Sequence, residues 1–297
     1  MTHVCPKLRI IVCACLLGIW LNTAGCDKLG LGDNSPSSPS GPPAAGSTIN
    51  YSAIGASDAW GIGSSVPCAI DCADGTGYVF VTERSLRSRG FTVNLTLLAI
   101  PTATLGPDFQ ILGNQYGHTV IGNLLDYGPF VTRDATVVTV FAGGNDVEVI
   151  MSALGGGAGA TNQTAFIDTK VQAFATDYAA LLAAVRARSS TARIVVLNLP
   201  NFAGVPLHLG DPLPNERAVQ RASVGITAVI NALTAQNVLV VDLMCDPRFY
   251  QGATYSSDGF HPSDAGYALI SSLIVQAITS PSFPKPAASC AQMSLVS

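Results

Sequence analysis

Charged residues are scarce in this 297-residue chain. Lys, Arg, Asp and Glu together make up 11% of it, the formal net charge is −4, and no run of basic residues occurs. A protein that binds nucleic acid needs a basic patch to meet the phosphates, so the composition argues against a nucleic-acid partner. Because 48% of the residues are hydrophobic, we expect a substantial core under a polar, lightly charged surface.

Hydrophobic runs long enough to cross a bilayer are missing. The uninterrupted apolar run at residues 10–21 has 12 members, short of the ~20 that a spanning helix needs. Lys7 and Arg9 precede it, and small residues lead from it to Cys26, an order typical of an export signal. It resembles a bacterial lipoprotein signal with Cys26 as the lipidated residue. We therefore predict a signal peptide with its lipobox at residues 1–26 and a lipid-anchored protein of the bacterial cell envelope, periplasmic or at the cell surface, with plain secretion as the alternative.

The composition changes after this signal. Residues 27–47 are rich in Gly, Ser, Pro, Ala and Asn, which predicts a flexible linker because such a segment cannot bury a core. Residues 48–297 remain for the folded part, a length compatible with one α/β domain.

Few cysteines are left for that domain, namely Cys68, Cys72, Cys245 and Cys290. Four cysteines allow three pairings. In an exported chain we expect disulfides Cys68–Cys72 and Cys245–Cys290, since two residues four apart on a helical turn have Cα atoms ~6 Å from each other. Zinc is the alternative, but Cys-x3-Cys without a nearby second pair is a poor zinc signature, and we predict no metal site.

Apolar, strand-like segments alternate with helical ones along the domain. Near-continuous apolar strands separated by helices indicate a parallel sheet that is covered on both faces. We expect a three-layer α/β/α sandwich around a central, mainly parallel five-stranded sheet. Reactive groups in such sheets collect at the carboxyl ends of the strands. The predicted strands are residues 49–54, 91–100, 135–142, 194–199 and 238–243, and the predicted helices are residues 78–89, 164–188, 215–235 and 262–278.

Three polar motifs follow predicted strands. Ser57 follows the first, Gly143-Gly144-Asn145-Asp146 the third, and Asp258-Gly259-Phe260-His261-Pro262 the fifth, just before the last helix. Histidine is rare here, with four in the whole chain, which draws attention to an Asp-x-x-His pair. In this order and spacing, over about residues 50–278, the chain resembles the SGNH (GDSL-type) serine esterases and lipases, which have a flavodoxin-like sheet.

The resemblance implies a role for each residue. Ser57 would attack an ester carbonyl, His261 would act as its general base, and Asp258 would orient the histidine. The side-chain amide of Asn145 and the backbone N–H of Ser57 would stabilise the oxyanion. Thr102 stands where the family has a glycine whose N–H is the third donor. The chemistry requires no metal or organic cofactor.

The chain departs from the family pattern at two places. Its first block reads Gly55-Ala56-Ser57-Asp58, whereas the family usually has aspartate before the serine, which bears on how the loop is supported. Threonine replaces the glycine at position 102, and Gly106 is an alternative third donor.

Other residues receive more ordinary interpretations. Loops at 107–133, 147–164 and 201–215 are expected to form the pocket rim, and Trp60 either lines the acyl pocket or packs in the core. His118 and His208 are expected at the surface or the rim and not as ligands. The glycine-rich residues 155–160 lack a following Lys-Ser/Thr, so they predict a loop and not a phosphate-binding site.

These observations predict a monomeric carboxylic ester hydrolase that forms an acyl-enzyme and acts on a small-molecule or lipid-like ester. Two alternatives remain open. One is a carbohydrate acetyl esterase on the same fold. The other is a surface lipoprotein that keeps the fold for binding and has lost turnover, with a blocked oxyanion hole as its expected sign.

Overall fold

The computed structural model of the chain describes residues 41–70 and 72–297. The predicted signal peptide, the lipidation site Cys26 and residues 27–40 of the predicted linker lie outside the described residues. Within them, no helix is both long enough and apolar enough to cross a membrane.

Five parallel strands form the centre of the domain. In space they are ordered β2-β1-β3-β4-β5, and every neighbouring pair is parallel. Strands β3 and β4 are buried at all five of their residues, as expected when helices cover both faces of a sheet. The predicted five-stranded parallel sheet is confirmed. The strands are β1 (Thr48–Gly55), β2 (Thr92–Ala99), β3 (Val137–Phe141), β4 (Arg193–Leu197) and β5 (Leu239–Val241).

Helices pack on both faces of this sheet. The connection from β1 to β2 leads towards one edge of the sheet, whereas the later connections lead towards the other edge. Because such crossovers are right-handed, their helices lie on opposite faces of the sheet. Accordingly α2 packs against α7, while α5 packs against α6, and α4 against α3 and α6. The helices are α1 (Ser57–Trp60), α2 (Tyr78–Ser88), α3 (Pro107–Gln115), α4 (Gly144–Gly155), α5 (Gln163–Arg188), α6 (Leu213–Ala232) and α7 (Asp264–Thr279).

Two of these helices lie in segments that were predicted from the sequence to be loops. Helix α3 occupies the start of residues 107–133, and α4 extends through much of residues 147–164. In α4 the buried residues Val147, Ile150 and Ala153 recur every three positions, which places them on one face of a helix. That interpretation was therefore wrong for these two stretches.

The last helix begins later than predicted. Pro262 is not its first residue but pairs with Tyr255 in an isolated β-bridge. Helix α7 starts at Asp264, and the Ser263 hydroxyl caps it by accepting the backbone N–H of Gly266 at 3.3 Å. Serine before a helix satisfies a donor that has no partner inside the helix, which explains the later start.

Both predicted disulfides are confirmed. Cys68 is bonded to Cys72 and Cys245 to Cys290. The second bond ties the segment after α7 to the loop that follows β5.

The strand order reverses between β1 and β3. In a doubly wound sheet this reversal opens a crevice at the carboxyl ends of the two strands, where ligands bind. Ser57 follows β1 and Asn145 follows β3, so the sheet places both at this crevice.

Candidate active site

The side chains of Ser57, His261 and Asp258 lie in a hydrogen-bonded series. Nε2 of His261 is 2.9 Å from Oγ of Ser57, and Nδ1 of the same ring is 2.6 Å from Oδ2 of Asp258. Ser57 is 6% exposed. The histidine thus bridges a buried hydroxyl and a carboxylate through its two nitrogens, which is the arrangement a base needs if it is to take a proton from the serine.

Hydrogen bonds from its own turn hold the carboxylate of Asp258 in place. Oδ1 of Asp258 accepts the backbone N–H groups of Phe260 and His261, each at 2.9 Å, and the hydroxyl of Ser256 at 2.8 Å. Burial by itself would raise the pKa of Asp258, but the hydrogen bonds from His261, the two N–H groups and Ser256 lower it to about 2. The carboxylate is therefore negative across the neutral range and can hold the ring in one orientation.

Two glycines allow the elements around the serine to approach closely. A Cβ on Gly55 would lie 2.8 Å from Cβ of Ala59, because α1 folds back onto the end of β1. A Cβ on Gly63 would lie 2.6 Å from Cβ of His261, and the φ of Gly63 is +92°. Glycine is the residue that tolerates both this φ and this contact.

The start of α4 is tied to the segment that follows β2. The Asn145 side-chain amide donates one hydrogen bond to the carbonyl of Ala103 at 2.8 Å. Asp146 is fully buried and accepts the backbone N–H of Leu105 at 3.0 Å. Burial raises the pKa of Asp146 to about 7, although the bond from Leu105 opposes the shift. Asp146 thus supports the loop that follows β2.

Thr102 has the backbone conformation expected of a glycine position. Its φ is +64°, in the left-handed region that side chains with a Cβ disfavour. Its Oγ1 accepts the N–H of Ile121 at 3.2 Å, and within the described residues its own N–H and that of Ser57 donate no hydrogen bond. Gly106 instead packs against the carboxylate of Asp177 on α5. Of the two predicted third donors, Thr102 has a backbone conformation that glycine adopts readily, and its role as a donor remains a prediction.

A small apolar cavity of about 40 Å³ is lined by Ala56 and Asp58, the two sequence neighbours of Ser57. Asp58, the residue after the nucleophile position, is among the few polar groups that line it. Burial raises the pKa of Asp58, while the nearby charge of His261 opposes the shift. Trp60 is not part of the wall. The lining residues include Ala56, Asp58, Asn145, Phe202, Phe249 and Phe260.

A second histidine with two carboxylates lies beside this site, and the sequence interpretation missed it. The His208 side chain is 8% exposed, so of its two expected places, the surface or the pocket rim, it does not lie at the surface. Its Nε2 pairs with Glu148 at 2.8 Å and its Nδ1 with Asp211 at 2.9 Å. The His-x-x-Asp spacing, which mirrors Asp258 and His261, was the available signal. Among the described residues, no group of three or more His, Cys, Asp or Glu side chains is placed to hold a metal ion.

The model of the GDSL-like lipase/acylhydrolase family matches residues 53–269, most of the chain. The chain belongs to this family. The match spans Ser57, Asn145 and the Asp258–His261 turn, and membership of the family identifies this GDSL-like protein as a hydrolase of that type. No curated protein matches its sequence at a significant level.

Solved structures resemble the fold of this GDSL-like protein. The lipase Lip_vut3 from a goat rumen metagenome has a TM-score of 0.55 and 18% identity, with 79% of this chain and 100% of the lipase covered. An extracellular lipase from Streptomyces rimosus has a TM-score of 0.52 and 18% identity, with 78% of this chain and 100% of the lipase covered. Phospholipase A1 from Streptomyces albidoflavus NA297 has a TM-score of 0.50 and 18% identity, with 80% of this chain and 100% of the phospholipase covered. At such identities the likeness shows the fold alone.

Proposed function

We propose that this GDSL-like hydrolase cleaves carboxylic esters through an acyl-enzyme on Ser57. The observation that carries the proposal is the series from Ser57 through His261 to Asp258, with contacts of 2.9 and 2.6 Å. A serine hydroxyl is a weak nucleophile until a neighbouring base takes its proton. The series supplies that base and the carboxylate that orients it.

The proposed reaction proceeds in two half-steps. As Oγ of Ser57 attacks the ester carbonyl, Nε2 of His261 removes its proton, and Asp258 stabilises the imidazolium that results. His261 then gives the proton to the leaving alcohol, so that the C–O bond of the ester breaks and the acyl group remains on the serine. Water, deprotonated by the same ring, releases the acid and restores the hydroxyl.

The developing negative charge on the carbonyl oxygen needs donors. Asn145 uses one amide N–H for the carbonyl of Ala103, and an amide has two, so the second is available to substrate. The backbone N–H groups of Ser57 and Thr102 complete the proposed oxyanion hole. The hydroxyl of Thr102 accepts a hydrogen bond from the backbone N–H of Ile121. This contact supports an open oxyanion hole, whereas a protein that only binds is expected to have a blocked one.

The cavity next to the serine favours a short acyl chain. At about 40 Å³ it has room for one or two water-sized groups, and rings of Phe202, Phe249 and Phe260 bound it. We expect nitrophenyl acetate and butyrate to have a higher kcat/KM than nitrophenyl palmitate. Preference for palmitate would contradict this assignment of the acyl pocket, and turnover confined to acetylated sugars would favour the carbohydrate acetyl esterase.

A fluorophosphonate probe tests the proposal itself, because it labels only an activated serine. Wild-type protein should be labelled, Ser57→Ala should not, and Ser272→Ala should be labelled as wild type. Ser272 is an exposed residue of α7 whose hydroxyl bonds the carbonyl of Leu269, which makes it a matched control. Absence of labelling in wild type, or equal labelling of Ser57→Ala, would reject catalysis and favour the binding lipoprotein.

We further propose that the protein is exported and anchored through lipid on Cys26. The order of the leader residues supports this, as do the two disulfides, since such bonds persist in oxidising compartments. Cys26→Ser should move the protein from the membrane fraction to the soluble fraction while the disulfides still form. Unchanged retention in the membrane fraction would reject the anchor.

A further inference from the structure

A partly buried ion cluster lies beside the proposed active site. We call Glu148, His208 and Asp211 the His208 clamp. Glu148 lies on α4, one turn after Asn145, whereas His208 and Asp211 belong to the 202–211 segment that follows β4. The two carboxylates contact opposite nitrogens of the ring, so the three groups do not converge on a common point as metal ligands do.

The clamp favours a charged ring. Burial alone would lower the pKa of His208, but the hydrogen bonds and charges of Glu148 and Asp211 outweigh burial and raise it. Glu148 faces the ring from α4 and Asp211 from its own segment, and these two are the charged groups among residues 41–70 and 72–297 that raise the pKa of His208. The imidazolium can donate to both carboxylates at once, which a neutral ring cannot do.

A continuous set of contacts runs from the clamp to the base. The His208 ring stacks on Phe202, with centroids 6.4 Å apart and planes 22° apart. Phe202 meets Phe260 edge-on at 5.6 Å, and Phe260 meets His261 edge-on at 4.9 Å. In addition, the backbone N–H of Leu207 donates to the carbonyl of Gly259 at 3.0 Å, inside the turn that carries the base.

We propose that Glu148, His208 and Asp211 are positioning residues, and that the clamp holds the 202–211 segment against the Asp258–His261 turn so that His261 is aligned with Ser57. The inference rests on the proposed function. None of the three residues touches the reacting atoms; they act through Phe202, Phe260 and Gly259.

Loss of the proton from His208 would open one side of the clamp. A neutral ring donates to one carboxylate and presents a lone pair to the other, so one contact becomes repulsive. The 202–211 segment then loses one contact of the clamp, and its packing against the Asp258–His261 turn becomes looser. Activity should therefore fall on the alkaline side with the titration of His208.

The test combines pH–rate profiles with direct titration of His208. Nitrophenyl acetate gives kcat and KM from pH 5 to 10, and imidazole NMR signals give the ionisation of His208 in the same protein. In Glu148→Gln, which keeps the shape but removes a charge, both the alkaline limb of kcat and the NMR titration should move to lower pH by about one unit or more. Asp211→Asn should act in the same direction, and His208→Gln should abolish the limb and lower kcat about 10- to 100-fold.

Asp168→Asn is the matched control. It removes one carboxylate from an exposed pair with Arg221 between α5 and α6, and it should leave the pH profile as in wild type. A limb that stays in place in Glu148→Gln while the NMR titration moves would overturn the proposal, because the clamp would then be structural only. Failure of the fluorophosphonate probe to label Ser57 at any pH would reject the proposed function instead.

Discussion

Replacement of Gly63 by alanine gives a sharp test of the site, because the structure fixes both effects of the new methyl group. At φ +92° an alanine costs about 1–2 kcal/mol of backbone strain. In addition, its Cβ would lie 2.6 Å from Cβ of His261 and 2.9 Å from the carbonyl of Pro262. Two carbons prefer about 3.5–4.0 Å, so the base turn must retreat by about 1 Å.

A displacement of about 1 Å at the base can reduce the rate about 100-fold. We therefore expect Gly63→Ala to lower kcat with nitrophenyl acetate by about two orders of magnitude. Gly90→Ala is the matched control, since Gly90 has φ +89° and nothing lies within 4 Å of its added Cβ. It should lose only the stability that comes from backbone strain, about 1–2 kcal/mol, and keep its kcat. Equal kcat in the two variants would refute the argument that Gly63 is required for the approach of His261.

Three further predictions concern the oxyanion donor, the aspartate and the disulfide. Asn145→Ala should lower kcat about 100- to 1,000-fold in ester assays, and an unchanged kcat would remove it from the oxyanion hole. The lowered pKa of Asp258 means that its stabilisation is present above the ordinary value of 3.8 and is lost as the pH falls through about 2. The difference in unfolding free energy between wild type and Asp258→Asn should shrink over that window, and a constant difference would contradict the assignment. Replacing both Cys245 and Cys290 by serine should lower the free energy of unfolding by about 4 kcal/mol, because the bond closes a loop with a sequence separation of 45; an unchanged denaturation midpoint would contradict this.

The position of the candidate site follows from sequence because parallel strands end at one edge. Ser57, Asn145 and His261 come after three different strands of one sheet, so their approach to one edge needs only that the strands are parallel. The parallel sheet was inferred from the apolar runs separated by helices, and its flavodoxin-like form from resemblance to the family.

The remaining features depend on packing, which a linear pattern does not report. The positive φ of Thr102 and the clearance at Gly63 are set by segments far away in sequence. Glu148 and His208 are 60 positions apart, so no local motif joins them. Helix α4 is a different case, because the helical spacing of Val147, Ile150 and Ala153 can be read from the sequence. The glycines at the two ends of α4 favoured the prediction of a loop instead.

The long separation between the contacting side chains of Ser57 and His261 has a consequence for synthesis. They lie 204 positions apart, with all four later strands between them. Under the proposed mechanism, a ribosome must make nearly the whole domain before the serine has its base. A chain cut short by a stop codon or a protease anywhere ahead of Asp258 would then be inert towards esters even if its strands paired, so ester hydrolysis would report that synthesis has passed His261.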